Sequence, residues 1–342
     1  MEHLPQKTQS AMLCFIDKTT DPYYNLAAEE YLLKNFSEPV FRLWRNAPSV
    51  IVGRNQNALA EINGEYIREN NIPVVRRLTG GGAVFHDLGN INYTFVGEKI
   101  EGEDTSAMFK RFTAPILAAL RNLGIEAELQ GRNDLVINGK KFSGNAVCIH
   151  NNRVLQHGTL LFKASVSSLS AALNTRPEKF IGKSVQSNIS RVTNISEHLP
   201  QEKQMNVEEF IQYLKEYMLS HTEQGLELRD YTPAETEEIT TLRDTKYATQ
   251  EWNFGKSPKF RLTGKFKLPC GFFETFVDVK DGYITKCQIL GDYFFIRPTS
   301  DICEALEGTQ HTYSAIKERL SQFPLKEYFG EDILEELTKN LI

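Results

Sequence analysis

Residues 76–87 read RRLTGGGAVFHD, with three consecutive glycines between an arginine pair and a short β-rich run. Because glycine has no Cβ, three in succession can take positive φ and leave their backbone N–H groups open to a ligand. Successive open amides form a concavity that binds anions, and arginine forks suit phosphate or carboxylate. The stretch therefore predicts a site for a nucleotide or another polyanion, and a plain tight turn is the alternative.

Two familiar glycine-rich nucleotide motifs do not fit this chain. A Walker loop ends in Gly-Lys-Ser or Gly-Lys-Thr at the start of a helix, whereas Gly139 is followed by two lysines and Phe142. A dinucleotide-binding fingerprint needs a further glycine and a helix, but Phe85 stands at that position and residues 83–85 favour a strand. We therefore expect the glycines to form a loop between two strands.

Length, composition and charge narrow the class of protein. With 342 residues, 41% of them hydrophobic, the chain can build one large or two moderate globular domains. No apolar run approaches the roughly 18 residues of a membrane span, and the polar start has no signal-peptide core. Five scattered cysteines without a CxxC pair predict reduced, buried thiols. A net charge of −5 argues against a nucleic-acid binder, so we expect a cytoplasmic protein that binds neither nucleic acid nor membrane.

Helix and strand signals alternate through the first part of the chain. Asp21 is a preferred capping residue and Pro22 suits the first helical position, so a helix is expected to begin there. A second amphipathic helix is expected from Met108 to Leu123, with Gly124 as its stop. β-Rich runs predict strands at Val40–Trp44, Ser49–Val52, Val74–Val75 and Asn90–Phe95, the last with Ile91, Tyr93 and Phe95 on one face.

The pair Asn138-Gly139 is the strongest short hairpin signal in the chain, because both central residues of a type I′ turn need positive φ. An asparagine pair at 151–152 marks a second turn. We therefore expect residues 134–162 to form a three-stranded meander, with Lys141 near the start of its second strand.

Beyond the meander, a capping box at Asn206 and Glu209 predicts another amphipathic helix. The composition then shifts. Residues 221–250 are charged and rich in threonine with little hydrophobic periodicity, apart from a short helix after Pro233. We expect a linker here.

A second, smaller α+β domain is expected after the linker. Residues 272–279 and 283–290 have the pattern of hairpin strands joined by Asp281-Gly282, and two or three helices follow. The expected division is a first domain at 1–245 and a C-terminal domain at 246–342.

Lys141 is the strongest candidate for catalysis. It lies in the string GKKFSG at 139–144, where a tight hairpin can aim its ammonium group. A positioned lysine supplies charge where phosphorus builds negative charge, the electrostatic term that usually dominates such catalysis. Strand alternation puts Lys141 and Ser143 on one face and Lys140 and Phe142 on the other. An ordinary solvated lysine at a strand edge is the alternative.

Asp134 precedes the hairpin, where it can bind a Mg²⁺ that accompanies phosphate, pair with Lys141, or cap its own turn. His86, His150 and His157 do not have the spacing of zinc ligands. His157 opens an apolar strand, which is either one wall of a pocket for a hydrophobic tail or ordinary core.

Several motifs, taken in their order, resemble the lipoate-protein ligase A family. They are RRLTGGGAVFHD at 76–87, GRNDL at 131–135, KFSG at 141–144, HGTLL at 157–161, RVTN at 191–194 and EWNFG at 251–255. The likeness covers nearly the whole chain. It implies an α+β fold: an α/β catalytic domain of the biotin and lipoate ligase type, with mixed sheets and flanking helices, and a smaller α+β accessory domain.

The resemblance implies a two-step, ATP-dependent acyl transfer. Lipoate and ATP, with Mg²⁺, give lipoyl-AMP and pyrophosphate, and the lipoyl group then passes to a specific lysine of an acceptor protein. The implied acceptors are lipoyl domains of 2-oxoacid dehydrogenase E2 subunits and the glycine-cleavage H protein. We also expect octanoate to be accepted in place of lipoate, and the protein to be a monomer whose accessory domain moves during the cycle.

The family's site residues carry over onto the matching motif positions. Lys141 corresponds to the lysine that touches both the acyl carbonyl and the phosphate, and it is the expected catalytic residue. The expected ATP-binding residues are Arg77, Gly80, Gly81, Gly82, Ala83, Val84, Phe85, His86, Asp134 and Lys141, with Asp134 as the expected metal ligand. The expected residues of the lipoyl site are Arg77, Thr79, Gly82, Lys141, Gly144, His157, Gly158 and Thr159.

Other activities stay open at this point. Related octanoyltransferases and lipoyl amidotransferases use a cysteine just before the meander, but residues 132–134 here are Arg-Asn-Asp, and Cys148 lies downstream. A biotin ligase would carry a Gly-Arg-Gly-rich adenylate loop, which is missing. A lipoyltransferase that uses preformed lipoyl-AMP is poorly separated by sequence, and a non-catalytic binding module would have no need of Lys141.

Overall fold

The computed structural model describes residues 11–173, 192–255, 262–280, 282–293 and 297–342. Its strands are β1 (Met12–Ile16), β2 (Val40–Trp44), β3 (Ser49–Val52), β4 (Val74–Arg76), β5 (Val84–His86), β6 (Asn90–Glu98), β7 (Ala127–Gln130), β8 (Asp134–Ile137), β9 (Lys140–His150), β10 (Arg153–Leu161), β11 (Leu226–Leu228), β12 (Leu262–Leu268), β13 (Gly271–Lys280) and β14 (Tyr283–Gly291).

Its α-helices are α1 (Pro22–Asn35), α2 (Ala58–Glu61), α3 (Gly64–Glu69), α4 (Thr105–Asn122), α5 (Val166–Ala172), α6 (Val207–His221), α7 (Pro233–Leu242), α8 (Gln250–Phe254), α9 (Ser300–Leu306), α10 (Tyr313–Leu320), α11 (Leu325–Phe329) and α12 (Leu334–Lys339). Arg191 of the RVTN motif and Asp281 of the expected turn lie outside the described residues. Of the helices described, none has the length and apolar character that crossing a bilayer requires.

An eight-stranded sheet forms the body of the structure, in the order β11-β1-β2-β6-β10-β9-β8-β7. β1 is parallel to β2 and β11, and the remaining neighbours are antiparallel. Helices α4 and α6 cover one face, and α1 and α7 cover the other. Ile91, Tyr93 and Phe95 all belong to the first face, which confirms the alternation predicted for that strand.

A separate three-stranded sheet, in the order β4-β3-β5, carries the triglycine turn, Gly80–Gly82. β4 is parallel and β5 antiparallel to β3, so the predicted loop between two strands is confirmed. Gly81 takes a φ of 87°, which suits glycine. A Cβ on Gly53, just after β3, would overlap the carbonyl group of Gly81. The turn can therefore pack closely on β3 only because a further glycine stands there.

The predicted meander is confirmed as β8, β9 and β10. The residues of Asn138-Gly139 take φ values of 50° and 73°, as a type I′ turn requires. A β-bulge adds Phe142 to β9, because Ser143 and Lys141 pair with successive residues of β8. Bulges re-aim side chains and are common next to functional sites.

The linker expected at 221–250 is wrong. β11 extends the large sheet, and α7, which confirms the short helix expected after Pro233, packs against α1. Much of the anchoring here is polar, since Lys246 Nζ and Tyr247 Oη both donate to the buried Glu30 carboxylate, at 2.5 Å and 2.7 Å. Hydrophobic periodicity does not detect a segment that is anchored through polar side chains.

The C-terminal part forms the expected smaller α+β unit. β12, β13 and β14 make an antiparallel sheet, which confirms the hairpin expected at 272–290. Helices α9 to α12 surround a core that includes Phe273, Ile316 and Leu337. Four described helices therefore stand where two or three were expected.

Candidate active site

A cavity of about 1210 Å³ opens between the triglycine turn, the meander and the C-terminal unit. Arg77 and Gly82 line it from the turn, and Lys141 and His157 line it from the meander. The apolar part of its wall includes Leu26, Trp44, Ile51 and Leu161. The glycine turn and the hairpin lysine therefore meet at one hollow, beside a wall that suits an apolar chain.

Arg77 holds the triglycine turn in shape. Its guanidinium donates to the carbonyl oxygens of Gly80 at 2.6 Å and Gly82 at 2.8 Å. It also donates to the Ile51 carbonyl at 3.1 Å and, from Nε, to Thr79 Oγ1 at 2.9 Å. Burial lowers the pKa of Arg77 to about 10, which leaves the side chain charged near neutral pH. A fixed positive charge directly under the turn favours an anion above it.

Arg76, the other member of the arginine pair, has a different role. It is fully buried, and its guanidinium donates to the backbone carbonyls of Gly53, Gln56 and Asn253 at 2.9, 2.7 and 2.8 Å. Burial lowers its pKa to about 10. The expectation that both arginines bind an anion is therefore wrong for Arg76, which joins β4 to the segment that follows α7.

Lys141 and Asp134 form an ion pair at the cavity, with 2.7 Å between Nζ and Oδ1 and side chains that are 41% and 40% exposed. Such exposed pairs contribute about 0.2–1 kcal/mol, so a phosphate can replace Asp134 as the partner of Lys141. Ser143 lines the cavity beside Lys141, whereas Phe142 is buried in the core. A Cβ on Gly144 would lie 3.1 Å from Lys141 Nζ, so glycine leaves room for the lysine.

His157 is held by a buried carboxylate that the sequence analysis did not single out. Its Nδ1 lies 3.0 Å and 2.9 Å from the two carboxylate oxygens of Glu29, and its Nε2 lies 2.8 Å from Thr79 Oγ1. Burial acts to raise the pKa of Glu29, but the charge and hydrogen bond of His157 oppose it, and the net pKa is below its usual value. Glu29 lies three residues after Leu26 and four before Leu33, and it therefore shares a face of α1 with these two leucines. That helical spacing was the available signal.

His86 and Asn92 line the cavity, and each carries a buried donor atom. Asn25 Nδ2 donates to Asn46 Oδ1 at 2.9 Å, which leaves Asn46 Nδ2 to donate to His86 Nδ1 at 3.1 Å. Burial lowers the pKa of His86 to about 3, so the ring is neutral and its proton lies on Nε2. Within the described residues, His86 Nε2 and Asn92 Nδ2 lack a hydrogen-bond partner, and both residues line the cavity. Asn92 was missed because it reads as an ordinary strand residue.

The other expected site residues lie at or just beneath the cavity wall. Thr79, just before the turn, and Gly80, its first residue, are buried, and both accept hydrogen bonds from Arg77. A Cβ on Gly158 would overlap the side chain of Asn145, so only glycine fits there. The expected residues that line the cavity directly, besides those described above, are Gly81, Ala83, Val84, Phe85, Gly158 and Thr159.

The C-terminal unit forms one side of the cavity, with Leu268, Phe272 and Asp292 in the wall. Among the described residues, the hydrogen bonds that connect it to the larger unit include two between distant parts of the chain. Arg132 Nη1 donates to the Cys270 carbonyl at 2.7 Å, and the Gly291 amide donates to the Asn55 carbonyl at 2.8 Å. Arg132 and Cys270 are 138 positions apart, and no local pattern in the sequence predicts a contact over that distance.

Comparison with known sequences gives a match along both parts of the chain. The sequence model described as the lipoyl protein ligase A/B catalytic domain matches residues 21–219, and that described as the bacterial lipoate protein ligase C-terminus matches residues 257–341. Lipoate-protein ligase LplJ of Bacillus subtilis is 41% identical over 333 residues, which is 94% of this chain and 99% of the relative. Lipoate-protein ligase 1 of Staphylococcus aureus is 40% identical over 322 residues, covering 94% and 96%.

Solved structures resemble this chain as well. LipL1 of Plasmodium falciparum, in complex with lipoate, superposes with a TM-score of 0.77 at 27% identity, covering 96% of this chain and 98% of the other. A lipoate-protein ligase A bound with ATP superposes with a TM-score of 0.61 at 27% identity, covering 72% and 99%. These likenesses confirm the α+β fold, with a large mixed sheet and a smaller C-terminal unit.

Proposed function

The chain belongs to the lipoyl protein ligase A/B family, and on that premise we propose that it is an ATP-dependent lipoate-protein ligase. It activates lipoate to lipoyl-AMP with release of pyrophosphate, and transfers the lipoyl group to a specific lysine of an acceptor protein. The observation that carries the proposal is the single cavity lined by the triglycine turn, by Lys141 and by an apolar wall. Adenylation of an apolar acid needs these three elements together.

The first step joins lipoate to AMP. A carboxylate oxygen of lipoate attacks the α-phosphorus of ATP, the bond from that phosphorus to the bridging oxygen of the β-phosphate breaks, and pyrophosphate leaves. Amides of the triglycine turn, above the fixed charge of Arg77, bind the phosphates. Lys141 exchanges Asp134 for the acyl carbonyl and the α-phosphate oxygens, where charge develops. The apolar wall beside Trp44 holds the hydrocarbon tail.

The second step uses an amine from the acceptor. The neutral lysine amine of the acceptor attacks the acyl carbonyl, the bond to the phosphate oxygen of AMP breaks, and AMP leaves as the amine loses a proton. Lys141, next to both the carbonyl and the phosphate, stabilises the oxyanion and then the departing AMP. No nucleophilic side chain of this chain is needed.

A Mg²⁺ ion fits Asp134 as its protein ligand. This ion is usually held by one or two carboxylates together with substrate phosphates and water, and Asp134 is a half-exposed carboxylate in the cavity wall. In the part of the chain that the structure describes, no cluster of three His, Cys, Asp or Glu side chains could hold a metal alone. When bound, the ion would neutralise phosphate charge.

A cysteine-dependent octanoyl or lipoyl transferase is the weaker candidate. Such an enzyme needs an accessible thiolate, but all five cysteines are free and buried. Burial raises the pKa of Cys148 to about 12, and its side chain packs in the core against α1. A lipoyltransferase that requires preformed lipoyl-AMP has the same site requirements, so experiment must separate it.

Membership of this family also suggests separate roles for the two domains. We assign adenylation and transfer to residues 1–245 and an accessory role to residues 246–342, although Trp252 and Asn253, just after this boundary, bond Arg76 of the larger unit. The proposed acceptors are lipoyl domains of 2-oxoacid dehydrogenase E2 subunits and the glycine-cleavage H protein. We further propose a cytoplasmic monomer, which gel filtration and cell fractionation test.

The decisive experiment incubates the protein with ATP, Mg²⁺, lipoate and purified lipoyl domains, and follows acceptor mass and pyrophosphate release. We expect the acceptor to gain one lipoyl group only when all components are present. A parallel reaction supplies lipoyl-AMP without ATP. If the acceptor is modified only in that reaction, the protein is a lipoyltransferase and not a ligase. If it is modified in neither reaction, both activities are contradicted.

A further inference from the structure

Two hydrogen-bond chains leave the buried carboxylate of Glu29. The first passes through His157 to Thr79 Oγ1, which in turn accepts from Arg77 Nε. Its links measure 2.9, 2.8 and 2.9 Å. Arg77 then bonds the carbonyls of the triglycine turn. Glu29 is thus connected to the turn through side chains only.

The second chain leads to the apolar wall. Thr94 Oγ1 donates to Glu29 Oε1 at 2.6 Å and accepts from Trp44 Nε1 at 2.9 Å. Because the indole N–H can only donate, the Thr94 hydroxyl proton must point to Glu29. The orientation of the Trp44 ring, which lines the cavity, is therefore linked to the same carboxylate.

The branch points lie behind the cavity wall. Glu29 is 3% exposed, and Thr79 and Thr94 are fully buried. Of the described residues, those that line the cavity include Trp44, Arg77 and His157 but not these three. Any effect of Glu29, Thr79 or Thr94 on a ligand in the cavity must therefore pass through the residues that they hold.

We propose that Glu29 is a positioning residue that fixes two parts of the cavity wall at once, holding the triglycine turn through His157, Thr79 and Arg77, and the acyl wall through Thr94 and Trp44. The proposal rests on the proposed function for its substrates. It assigns the turn end to the nucleotide and the Trp44 end to the acyl tail.

A carboxylate is required at this point because Glu29 faces donors only. Its Oε1 accepts hydrogen bonds from both His157 Nδ1 and Thr94 Oγ1, and its Oε2 accepts one from His157 Nδ1. A carboxylate accepts at both oxygens, whereas an amide has one accepting oxygen and one donating NH₂ group. In Glu29→Gln the NH₂ group would face His157 Nδ1 in either orientation, and it would also face Thr94 Oγ1 when it takes the Oε1 position.

The first test measures KM values in lipoate-dependent exchange of pyrophosphate into ATP. Glu29→Gln is expected to raise KM for ATP by about 10-fold or more, since small misplacements behind a site have effects up to roughly 100-fold. KM for lipoate should rise by a smaller factor, because one orientation of the amide keeps the hydrogen bond from Thr94. Thr79→Val, which lacks only the hydroxyl, should raise KM for ATP alone. Thr94→Val should raise KM for lipoate alone. Thr79→Ser and Thr94→Ser keep their hydroxyls and should restore values near those of the wild type.

The second test needs no substrate. The chain has two tryptophans, so protein labelled with 5-fluorotryptophan gives one ¹⁹F resonance for Trp44 and one for Trp252. Glu29→Gln and Thr94→Val should shift the Trp44 resonance, and Thr79→Val should leave it in place. The Trp252 resonance should not move in any variant, and it serves as the internal control for folding.

The outcomes separate the positioning role from the proposed function. If Glu29→Gln leaves both KM values within about twofold of the wild type, or if Thr94→Val does not move the Trp44 resonance, the positioning role is refuted. If Glu29→Gln does not fold, the Val and Ser variants of Thr79 and Thr94 test the positioning role without it. Wild-type protein without exchange activity would refute the ligase function, while the ¹⁹F test would still decide whether Glu29 orients Trp44.

Discussion

Arg77 and Lys141 face the same cavity, and the structure holds these two cations in opposite ways. Arg77 is buried and bonds three backbone carbonyls and a threonine hydroxyl. Lys141 extends from a hairpin, 41% exposed, and its ion pair is with the equally exposed Asp134. One cation is built into the wall, whereas the other can change its partner.

Under the proposed function, this difference predicts a different role for each cation. A donor fixed before the substrate arrives needs no reorganisation during the reaction, which is the condition for electrostatic preorganisation. A lysine in a weak, exposed ion pair can instead follow charge as it moves from the carboxylate to the phosphate and then to the leaving AMP. Each of the predictions below is a test of this contrast.

The largest effect is expected from Lys141→Ala. Loss of a group that stabilises developing charge typically costs 10²–10³ in rate, so adenylation should fall by about 100-fold or more. Because the Lys141 pair is exposed, the melting temperature should stay within about 2 °C of the wild type. Pyrophosphate exchange and a thermal melt measure the two quantities, and Lys140→Ala is the matched control. Full exchange activity in Lys141→Ala would remove Lys141 from the mechanism.

A smaller effect is expected from Arg77→Lys, because an ammonium cannot replace a guanidinium fork that bonds several carbonyls. KM for ATP should rise by about 10-fold, and the melting temperature should fall. Arg76→Lys should lower the melting temperature with KM for ATP unchanged, since Arg76 braces the fold away from the cavity. Equal KM effects in the two variants would erase the distinction between the neighbouring arginines.

Acid should destabilise the buried side of the cavity, where His86 lies. An imidazole in the unfolded chain binds a proton near pH 6.5, whereas the folded pKa of His86 is about 3. Between these values the unfolded state holds the extra proton, so stability falls as pH falls, by up to about 1.4 kcal/mol per unit. Urea unfolding at pH 7, 6 and 5 should show a smaller acid loss in His86→Gln, and identical slopes would contradict the buried, neutral histidine.

The smallest effect is expected from octanoate, which has the carbon chain of lipoate but lacks the two sulfur atoms of its ring. Octanoate should be adenylated at saturation with a kcat within about threefold of that for lipoate, because an apolar wall discriminates by about 1–3 kcal/mol and a contact made equally in the ground and transition states changes KM only. Exchange assays with both acids test this. Absence of adenylation with octanoate would mean that the Trp44 end of the cavity takes part in catalysis.

Local signals predicted much of the fold and part of the site. The helix cap at Asp21, the turn at Asn138-Gly139 and the capping box at Asn206 are all confirmed, because each depends on residues within a few positions of one another. The linker expected at 221–250 is wrong, because polar contacts such as that of Lys246 with Glu30 supply part of its anchoring, and hydrophobic periodicity does not detect them. Glu29 was missed although helical spacing places it on one face of α1 with Leu26 and Leu33.

By itself, the sequence determined the triglycine loop, the meander and the aim of Lys141, since the allowed φ values of glycine and asparagine act locally. Only the tertiary structure decided which of two adjacent, identical arginines serves the cavity. Arg76 bonds Asn253, 177 positions away, and Arg77 bonds the turn that follows it. Strand alternation directs neighbouring side chains to opposite faces. Which residues each arginine then contacts depends on how distant parts of the chain pack together.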